Sequence, residues 1–430
     1  MRQNNSRVVD PEFLDLTIDT IGDGGDGIAE PAGRRIFVPW TLPGERVRAR
    51  RTGPHHAVPL EWLVRAQARA EASCPHFATC GGCALQHLQP DSYAAWKRAR
   101  VQAAATGAGF PEAVVAPLVS SPPASRRRAI LASLRTRAGV TLGFHAPASA
   151  DIVDITTCPV LVPEIATRLD ELRAALGAVL TRTQRCDVAI TSTQTGLDML
   201  IIGNVARGRL NGLAAKLDLA RLSLARDAGA SAELIALNRA PLVRFGTVGV
   251  EPPPHAFLQA TREGEHAITA AVLAGLGNAR RVLDLHAGCG TLALPIAHQA
   301  HVLAVDVAAD SLAALDAAAR RSGLGAQVKI LARDLVRRPL LGSELDGWDA
   351  AVFDPPREGA RAQASALAAS SVQRVIAVSC NPASFTVDAI ALRDGGYRLE
   401  QLIPIDQFLW SPHVELVGVF SRPPAPRKRR

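Results

Sequence analysis

Aromatic side chains are scarce in this chain of 430 residues: phenylalanine, tryptophan and tyrosine together make up 4%. Alanine and arginine are abundant, and we attribute both biases to a GC-rich genome rather than to function. No apolar segment follows Met1-Arg2-Gln3-Asn4, which argues against a secretory signal. Every apolar run is interrupted before the ~20 residues that a membrane helix needs. We therefore expect a cytoplasmic protein with no membrane partner.

Cysteine is also rare, with seven residues in the whole chain. In a reducing cytoplasm, so few thiols favour metal binding or catalysis over disulfide bonds. Apolar residues make up 48% and charged residues 20%, which is typical of a globular protein. The chain is too long for one ordinary core, so we predict two or three domains.

Acidic residues are fewer than basic ones, 40 against 48, which gives a formal net charge of +8 and a pI near 9.5. A basic balance of this kind favours a polyanionic partner. The basic residues cluster at 46–51, 97–100, 126–128 and 427–430. Arg126-Arg127-Arg128 opens an alternating, strand-like run, which we interpret as a phosphate-contacting edge. The tail at 427–430 is interpreted as a solvated end.

Residues 12–65 have the pattern of a small all-β module. Alternating apolar residues at 13–18 precede the glycine-rich turn at 22–27, and further strand-like runs follow at 35–38 and 46–50. Short strands with glycine turns predict a small barrel, of a kind that often binds nucleic acid. Periodicity alone leaves a generic SH3-like packing module open. Further along the chain, the pattern predicts helices at 93–105 and 163–180.

Three of the seven cysteines, Cys74, Cys80 and Cys83, lie in one short segment with the spacing C-x5-C-x2-C. Two glycines at 81 and 82 let the backbone approach closely, and Cys158 could supply a fourth thiolate from elsewhere. Four thiolates suit either structural zinc or an iron–sulfur cluster, and the residue types leave both open. Cys186 has no partner motif and is expected to be an ordinary cysteine.

From Glu263 onward, helix-like and strand-like segments alternate, which predicts a mostly parallel, doubly wound sheet. The apolar run 281–285 enters the turn Gly288-Cys289-Gly290-Thr291, whose glycines allow close approach of a ligand. A second strand ends at Asp306, about twenty residues on, where acids hold the ribose of nucleoside cofactors. A third strand ends near Asp334. The loop lacks a full G-x-G-x-x-G pattern, which favours S-adenosylmethionine over a dinucleotide.

Two further strands deliver reactive groups to the same edge of the predicted sheet. The fourth strand, 350–353, ends in Asp354-Pro355-Pro356-Arg357, a rigid turn suited to contact with substrate or cofactor. The fifth ends at Cys380, and a carboxylate returns at Glu415. A buried, inert cysteine is the commoner fate of such a residue. Four strand-end positions at 284, 306, 354 and 380 converge here, however, so we predict Cys380 as a nucleophile with Glu415 as its proton-handling partner.

Together these motifs resemble the RNA 5-methyluridine (uracil-C5) methyltransferase family over nearly the whole chain. The resemblance is carried by Phe257-Leu258-Gln259, Asp284-Leu285 with Gly288 and Gly290, Asp354-Pro355-Pro356-Arg357, Ser379-Cys380-Asn381-Pro382 and His413-Val414-Glu415. The N-terminal module looks like a TRAM domain, and the four cysteines are similar to the [4Fe–4S] signature of the 23S ribosomal RNA branch. The implied fold is an OB-like β-barrel (TRAM) at 1–66, an α+β central domain with the cluster at 67–256, and a class I (Rossmann-like) methyltransferase domain at 257–430.

The resemblance implies S-adenosylmethionine-dependent methylation of uridine C5 in 23S ribosomal RNA. Cys380 would bond covalently to uracil C6, and Glu415 would remove the C5 proton. The cofactor-binding residues that it implies are Gln259, His286, Gly288, Gly290, Thr291, Asp306, Asp334 and Asp354, and the cluster ligands are Cys74, Cys80, Cys83 and Cys158. The chain departs from the family pattern where His286 replaces an aromatic residue, Thr291 and Thr261 each replace an asparagine, and Asp306 replaces a glutamate.

Two other functions fit parts of the same pattern. A tRNA 5-methyluridine methyltransferase would use the same chemistry, and only tests on RNA substrates separate the two branches. A non-enzymatic, cluster-bearing RNA-binding or redox-sensing protein would need neither Cys380 nor Glu415. A radical S-adenosylmethionine enzyme is disfavoured because its cluster ligands have a tighter C-x3-C-x2-C spacing. The expected partner is RNA, and the expected state is a monomer.

Overall fold

The computed structural model describes residues 12–423, so the basic tail at 427–430 lies outside the described residues. The chain forms two compact units. The first comprises residues 12–94 with Trp410–Pro412, and the second comprises residues 95–409 with the chain from His413 onward. The division into three domains at 66 and 256 stays a prediction.

The first unit is built on a curled six-stranded sheet. Its strands are β1 (Phe13–Thr17), β2 (Thr20–Ile21), β3 (Gly27–Ala29), β4 (Ile36–Val38), β5 (Arg46–Gly53) and β6 (His56–Val64), in the spatial order β1-β5-β6-β4-β3-β2. In β5, Arg46, Arg48 and Arg50 face solvent while Val47 and Ala49 are fully buried, which is the alternation of a strand with one packed face. The sheet encloses one apolar core, so the expected small barrel is confirmed.

The second unit begins within α1 (Pro90–Gly107) and contains a seven-stranded sheet. This part of the chain consists of β7 (Val119–Ser120), β8 (Arg128–Arg135), β9 (Val140–His145), β10 (Ile152–Asp154), α2 (Pro163–Ala166), α3 (Leu169–Val179), β11 (Arg185–Thr193), β12 (Gly196–Ile202), α4 (Leu213–Lys216), β13 (Leu219–Ala225), β14 (Glu233–Leu237) and the hairpin β15 (Val243–Phe245) with β16 (Val248–Val250). The spatial order is β10-β9-β8-β11-β12-β13-β14. The helix predicted at 163–180 is two helices, and at the break Thr167 Oγ1 donates to the carbonyl oxygen of Pro163.

The largest sheet of the second unit has eight strands with helices between them. The elements are α5 (Arg262–Leu276), β17 (Arg281–Leu285), α6 (Ala293–Ile296), β18 (His301–Asp306), α7 (Ala309–Arg321), β19 (Val328–Ala332), β20 (Ala350–Phe353), α8 (Arg361–Ala368), β21 (Arg374–Ser379), α9 (Pro382–Asp394), β22 (Arg398–Asp406) and β23 (Glu415–Ser421). The spatial order is β19-β18-β17-β20-β21-β23-β22-β7, and only β23 runs antiparallel to its neighbours. The predicted doubly wound sheet is confirmed.

The parallel strands of this sheet are almost entirely apolar because helices cover both of their faces. All four residues of β20 are buried, as are five of the six in β21. The carboxyl ends of β17, β18, β20 and β21 therefore open along one edge, which is where ligands bind in sheets of this kind. Within residues 12–423, no helix is long and apolar enough to cross a membrane.

Candidate functional site

Cys380 and Glu415 lie at the same end of two neighbouring strands. Ser379, the last residue of β21, pairs with Leu416 of the antiparallel strand β23. Cys380 is the next residue along one strand and Glu415 the preceding residue along the other, so the sheet brings the two predicted catalytic residues together. The charge of Glu415 also acts on the Cys380 thiol, which agrees with this placement.

The Glu415 carboxyl is held in a polar network although it is only 2% exposed. Its Oε1 accepts a 2.9 Å hydrogen bond from Gln407 Nε2. Its Oε2 is buried and has no hydrogen-bond partner among the residues that the structure describes. Burial, followed by the charge of Asp354, raises the pKa of Glu415 to about 8, so this group can exchange a proton near neutral pH.

Asp354 follows β20 at the same sheet edge and contacts Gln259. Gln259 Nε2 donates a 2.8 Å hydrogen bond to Asp354 Oδ2, and Gln259 itself is 2% exposed. Burial raises the pKa of Asp354 to about 7, while the hydrogen bond from Gln259 acts in the opposite direction. Two carboxyl groups that titrate near neutrality therefore share one edge with a thiol, which is typical of a site for acid–base chemistry.

The Cys380 thiol is partly buried, and burial raises its pKa to about 12, with further contributions from Glu415 and Asp354. The thiol therefore keeps its proton at rest and becomes a nucleophile only when a base accepts that proton. The backbone around it is fixed by the start of α9. Asn381 Oδ1 accepts from the Ala383 amide at 3.1 Å and caps the helix, and Asn381 Nδ2 donates to the Arg357 carbonyl oxygen at 3.1 Å.

The glycine loop after β17 is tied to the neighbouring strand by Asp306. The Gly288 amide donates to Asp306 Oδ2 at 2.9 Å, and the Ala308 amide donates to Asp306 Oδ1 at 2.7 Å. Gly288 and Gly290 have φ values of 53° and 94°, which favour glycine. A Cβ on Gly290 would also lie 2.8 Å from Leu315 Cδ1, so a side chain does not fit there. Each carboxylate oxygen of Asp306 keeps a second lone pair for a ligand.

His286 lies between the two predicted acids of this region. Its pKa is lowered by burial, against opposing contributions from the charges of Asp306 and Asp334, so the imidazole is neutral and close to both. Asp334 Oδ1 accepts from the amides of Val336 and Arg337 at 3.0 and 3.1 Å, which fixes the turn after β19. A cavity of about 440 Å³ opens beside His286. Thr291 directly follows the glycine loop.

The predicted phosphate-contacting arginines are largely engaged inside the protein. Arg127 is 3% exposed; its guanidinium pairs with Glu265 at 2.5 Å and donates to the Gln259 carbonyl oxygen at 3.0 Å. Arg128 donates to the Leu258 carbonyl oxygen at 2.8 Å and stacks over Phe257. The interpretation of this run as a charged outer edge is therefore wrong for Arg127, which instead supports the segment that presents Gln259.

Lys97, which belongs to the basic cluster at 97–100, lies inside the protein. Its side chain is completely buried and donates a 2.6 Å hydrogen bond to the buried carboxylate of Asp406, at the end of β22. It also donates to the Phe408 carbonyl oxygen at 3.3 Å. Lys97 is thus an internal support for the residues that follow β22.

Gln407, the residue after Asp406, was not predicted as part of the site. Its side chain is 2% exposed and contacts both Gln259 and Glu415. A polar residue in a loop has no periodicity to signal its burial. The only available signal was its position, eight residues before the predicted proton-handling carboxylate.

The three clustered cysteines occupy a loop of the first unit. All three are partly exposed, the Cys74 amide donates to Gln86 Oε1 at 3.1 Å, and the Gly82 amide donates to Cys80 Sγ at 3.4 Å. Cys158 lies in the second unit, after β10. Across residues 12–423, no three Cys, His, Asp or Glu side chains form a group arranged to hold a metal ion. The cluster-ligand assignment therefore stays a prediction.

The chain is similar in sequence to proteins that are named as RNA methyltransferases. The sequence model described as tRNA (uracil-5-)-methyltransferase matches residues 255–422. An uncharacterized RNA methyltransferase of Brucella suis is 46% identical over 412 residues, covering 95% of this chain and 97% of the relative. The 23S rRNA (uracil(1939)-C(5))-methyltransferase RlmD of Alkalilimnicola ehrlichii is 32% identical over 440 residues, covering 96% and 97%.

A solved structure also matches nearly the whole chain. The tRNA (uracil-54, C5)-methyltransferase of Pyrococcus abyssi, in complex with S-adenosyl-L-homocysteine, superposes with a TM-score of 0.73. It covers 95% of this chain and 99% of the other at 21% identity, and so supports the class I methyltransferase fold with an N-terminal barrel. On the sequence relatives and the family match, the chain belongs to the RNA methyltransferases of the (uracil-5-)-methyltransferase family.

Proposed function

We propose that this protein methylates C5 of a uridine in 23S ribosomal RNA, using S-adenosylmethionine and a transient covalent bond to Cys380. The observation that carries the proposal is the meeting of Cys380, Glu415 and Asp354 at one sheet edge, beside the Asp306-anchored glycine loop. The choice of ribosomal RNA is supported by the 32% identical RlmD relative, which covers nearly all of the chain.

The chemistry proposed for these residues begins with the nucleophile. The Cys380 proton passes to the carboxylate of Asp354, whose charge acts on this thiol, and leaves the thiolate. Uracil C5 is weakly nucleophilic, and addition of that thiolate to C6 makes C5 electron-rich enough to accept a methyl group. Bound S-adenosylmethionine supplies that methyl group. Glu415 then takes the proton from C5, and the electron pair left behind expels the Cys380 thiolate from C6, which restores the aromatic base. The unpartnered, buried Glu415 Oε2 is the atom available to receive the proton.

The residues proposed to hold the cofactor are Gln259, His286, Gly288, Gly290, Thr291, Asp306, Asp334 and Asp354. Asp306 and Asp334 present carboxylate oxygens beside the neutral His286 imidazole, a donor and acceptor set that suits a ribose and an adenine. The glycine loop lets the backbone approach the cofactor. Asp354 and Gln259 lie between this region and Cys380, so they would position the uracil against the methyl donor.

The target uridine must leave its stack to reach Cys380, because a base inside folded RNA cannot offer C6 to a buried thiol. The outward-facing arginines of β5 would contribute to RNA binding through phosphate contacts.

We propose Cys74, Cys80, Cys83 and Cys158 as ligands of a [4Fe–4S] cluster. The donor chemistry supports this, because all four side chains are thiols. Burial raises the pKa of Cys80, and the hydrogen bond that the Gly82 amide donates to its Sγ opposes that rise. Iron and sulfide analysis with visible absorbance of the anaerobically purified protein tests it. Cys74→Ser should remove the signal and Cys186→Ser should leave it intact. Bound zinc without iron would contradict the assignment.

The decisive experiment for the function uses unmodified 23S ribosomal RNA and unmodified tRNA, each incubated with methyl-labelled S-adenosylmethionine, followed by mapping of the methylated uridine. We expect label at uridine C5 in the ribosomal RNA. Label in tRNA alone would establish the tRNA reaction instead. Failure to label either RNA would refute the methyltransferase proposal.

Variants test the covalent step separately. Cys380→Ala should abolish transfer, since it removes the proposed nucleophile. Glu415→Gln should accumulate a protein–RNA adduct that survives denaturing electrophoresis, because the C5 proton cannot leave. Cys186→Ala, a buried cysteine in the seven-stranded sheet, is the matched control and should keep wild-type transfer. Adduct formation by Cys380→Ala would reassign the nucleophile.

A further inference from the structure

Gln407 occupies a central position in the polar network of the site. It directly follows β22 and is 2% exposed. Its backbone is held on one side by Asp406, whose Oδ1 accepts from both Lys97 Nζ at 2.6 Å and the Phe408 amide at 3.0 Å. The turn that carries Gln407 is therefore fixed from within the unit, and its side chain has little freedom to move away.

The direction of every hydrogen bond made by the Gln407 amide is determined by one backbone group. The Ala260 amide can only donate, and it lies 2.7 Å from Gln407 Oε1. The opposite end of the Gln407 side chain must then be its NH2 group. That group donates to Gln259 Oε1 at 2.5 Å and to Glu415 Oε1 at 2.9 Å, so both of its protons are used.

The orientation of Gln407 also determines the orientation of Gln259, which contacts Asp354. Because Gln259 Oε1 accepts from Gln407, its own NH2 group must face the other way, where it donates to Asp354 Oδ2 at 2.8 Å. A single backbone amide thus sets the orientation of two glutamine side chains and presents a donor to each of two buried carboxyl groups. A reversed Gln407 amide would leave the Ala260 amide facing another donor, which is unfavourable in a buried site.

We propose that Gln407 is a positioning residue that orients Glu415 for removal of the C5 proton and locks Gln259 toward Asp354. The inference rests on the proposed methyl transfer through Cys380. Gln407 touches no reacting atom in this scheme. It holds Glu415 Oε1 so that the unpartnered Oε2 is the oxygen left for the substrate proton.

Gln407→Met tests the role, because methionine keeps the length of the side chain and removes both hydrogen-bonding ends. The measurement is kcat for methylation of the RNA as a function of pH at saturating S-adenosylmethionine. Without the donor from Gln407, the protonated form of Glu415 is favoured. The acid limb of the pH–rate profile, where kcat rises as Glu415 loses its proton, should therefore move to higher pH. We expect kcat near pH 7 to fall about tenfold while KM for the RNA stays within about twofold, since loss of a hydrogen bond to a charged group has an effect of this order.

The substitution leaves unchanged the other residues that influence the pKa of Glu415 or of Cys380. Asp354 faces Glu415 from the end of β20, Cys380 from the end of β21, and Arg357 acts on Cys380. Gln407→Glu is the second variant, because it keeps the shape of the side chain if Gln407→Met fails to fold. Its carboxylate places a negative charge against Glu415, so it should move the acid limb further than Gln407→Met does.

Ser133→Ala controls for the loss of a buried polar group at a distance from the site. Its hydroxyl donates to the Cys186 carbonyl oxygen at 2.7 Å within the seven-stranded sheet, and its loss should leave the acid limb where it is in the wild type. If the wild type methylates RNA and the Gln407 variants keep the same kcat and the same acid limb of the pH–rate profile, this inference alone is overturned. A wild type that transfers no methyl group would overturn the proposed function and the inference together.

Discussion

Lys97 and Asp406 form an ion pair in which neither side chain is exposed to solvent, with Nζ 2.6 Å from Oδ1. The pair joins α1 to the end of β22, 309 residues later in the chain, and it sits directly before Gln407. Burial lowers the pKa of Lys97 to about 8, against the opposing effect of Asp406, so the lysine depends on its partner to stay charged. The Lys97–Asp406 pair therefore contributes to the stability of the fold and also holds the residue that precedes Gln407.

Removing one member of this pair should therefore be strongly destabilising. Lys97→Met leaves the Asp406 carboxylate buried without its cation, and we expect the free energy of unfolding to fall by about 3–5 kcal/mol. Urea denaturation followed by circular dichroism measures the change. The double variant Lys97→Met with Asp406→Leu should recover much of the loss. Arg207→Ala breaks the exposed pair with Glu233 and should change stability by less than about 1 kcal/mol; similar losses at both positions would contradict the prediction.

Glu415 should make stability depend on pH in a defined direction. Burial raises its pKa in the folded protein to about 8, above the ordinary value of 4.5. The stability associated with the protonated group is fully present below pH 4.5 and is lost as pH rises through about 8. Glu415→Gln removes this titration, so the stability of the variant relative to the wild type should increase by about 4 kcal/mol from pH 5 to pH 9.

The experiment compares urea unfolding of the wild type and Glu415→Gln at these two pH values. Asp354 interacts with Glu415, so the comparison measures the loss of the Glu415 titration together with its effect on the titration of Asp354. A stability difference between the two proteins that stays constant from pH 5 to pH 9 would show that Glu415 does not titrate in this range.

The glycine at 290 should be required for both folding and cofactor binding. Gly290→Ala adds strain at a φ of 94° and places a Cβ 2.8 Å from Leu315 Cδ1. We expect a loss of about 2–4 kcal/mol in unfolding free energy and at least tenfold weaker binding of S-adenosylmethionine by calorimetry. Gly277→Ala is the matched control: its φ is also positive, but no atom lies within 4 Å of the added Cβ. It should lose only about 1 kcal/mol and keep cofactor affinity.

Asp306 should contribute to cofactor affinity in two ways, through the glycine loop and through its own free lone pairs. Asp306→Asn places an NH2 group against either the Gly288 or the Ala308 amide, both of which are donors. We expect the Kd for S-adenosylmethionine to rise about 10- to 100-fold. Asp310→Asn, in the first turn of α7, removes a nearby carboxylate with no such contact to the loop and should bind the cofactor normally. Equal affinity for all three proteins would rule out this role.

The sheet and the edge that carries Cys380 were predictable because they depend on local patterns. The predicted strand at 350–353 has those bounds in the structure, and the predicted run 281–285 is β17. Buried parallel strands are continuous apolar runs, and the groups that follow them must meet at one edge. Cys380, Asp354 and Asp306 were predicted at this edge in the same way, and their roles stay predictions.

The supporting residues were not predictable, because their surroundings come from distant parts of the chain. Lys97 and Arg127 are basic residues in basic clusters, and the run 126–128 was interpreted as a phosphate-contacting edge. In the structure each is buried against a carboxylate, Asp406 and Glu265 respectively, and a buried pair of this kind leaves no periodic signal. Gln407 likewise acquires its role only from the Ala260 amide and the two side chains that it joins.

The register between β21 and β23 also determines which side chains share this edge of the sheet. The backbone ladder between the two strands holds Cys380 beside Glu415. A one-residue slip within either strand would instead turn Glu415 to the opposite face of the sheet. An insertion or a deletion of one residue within either strand should therefore separate the thiol from the carboxyl.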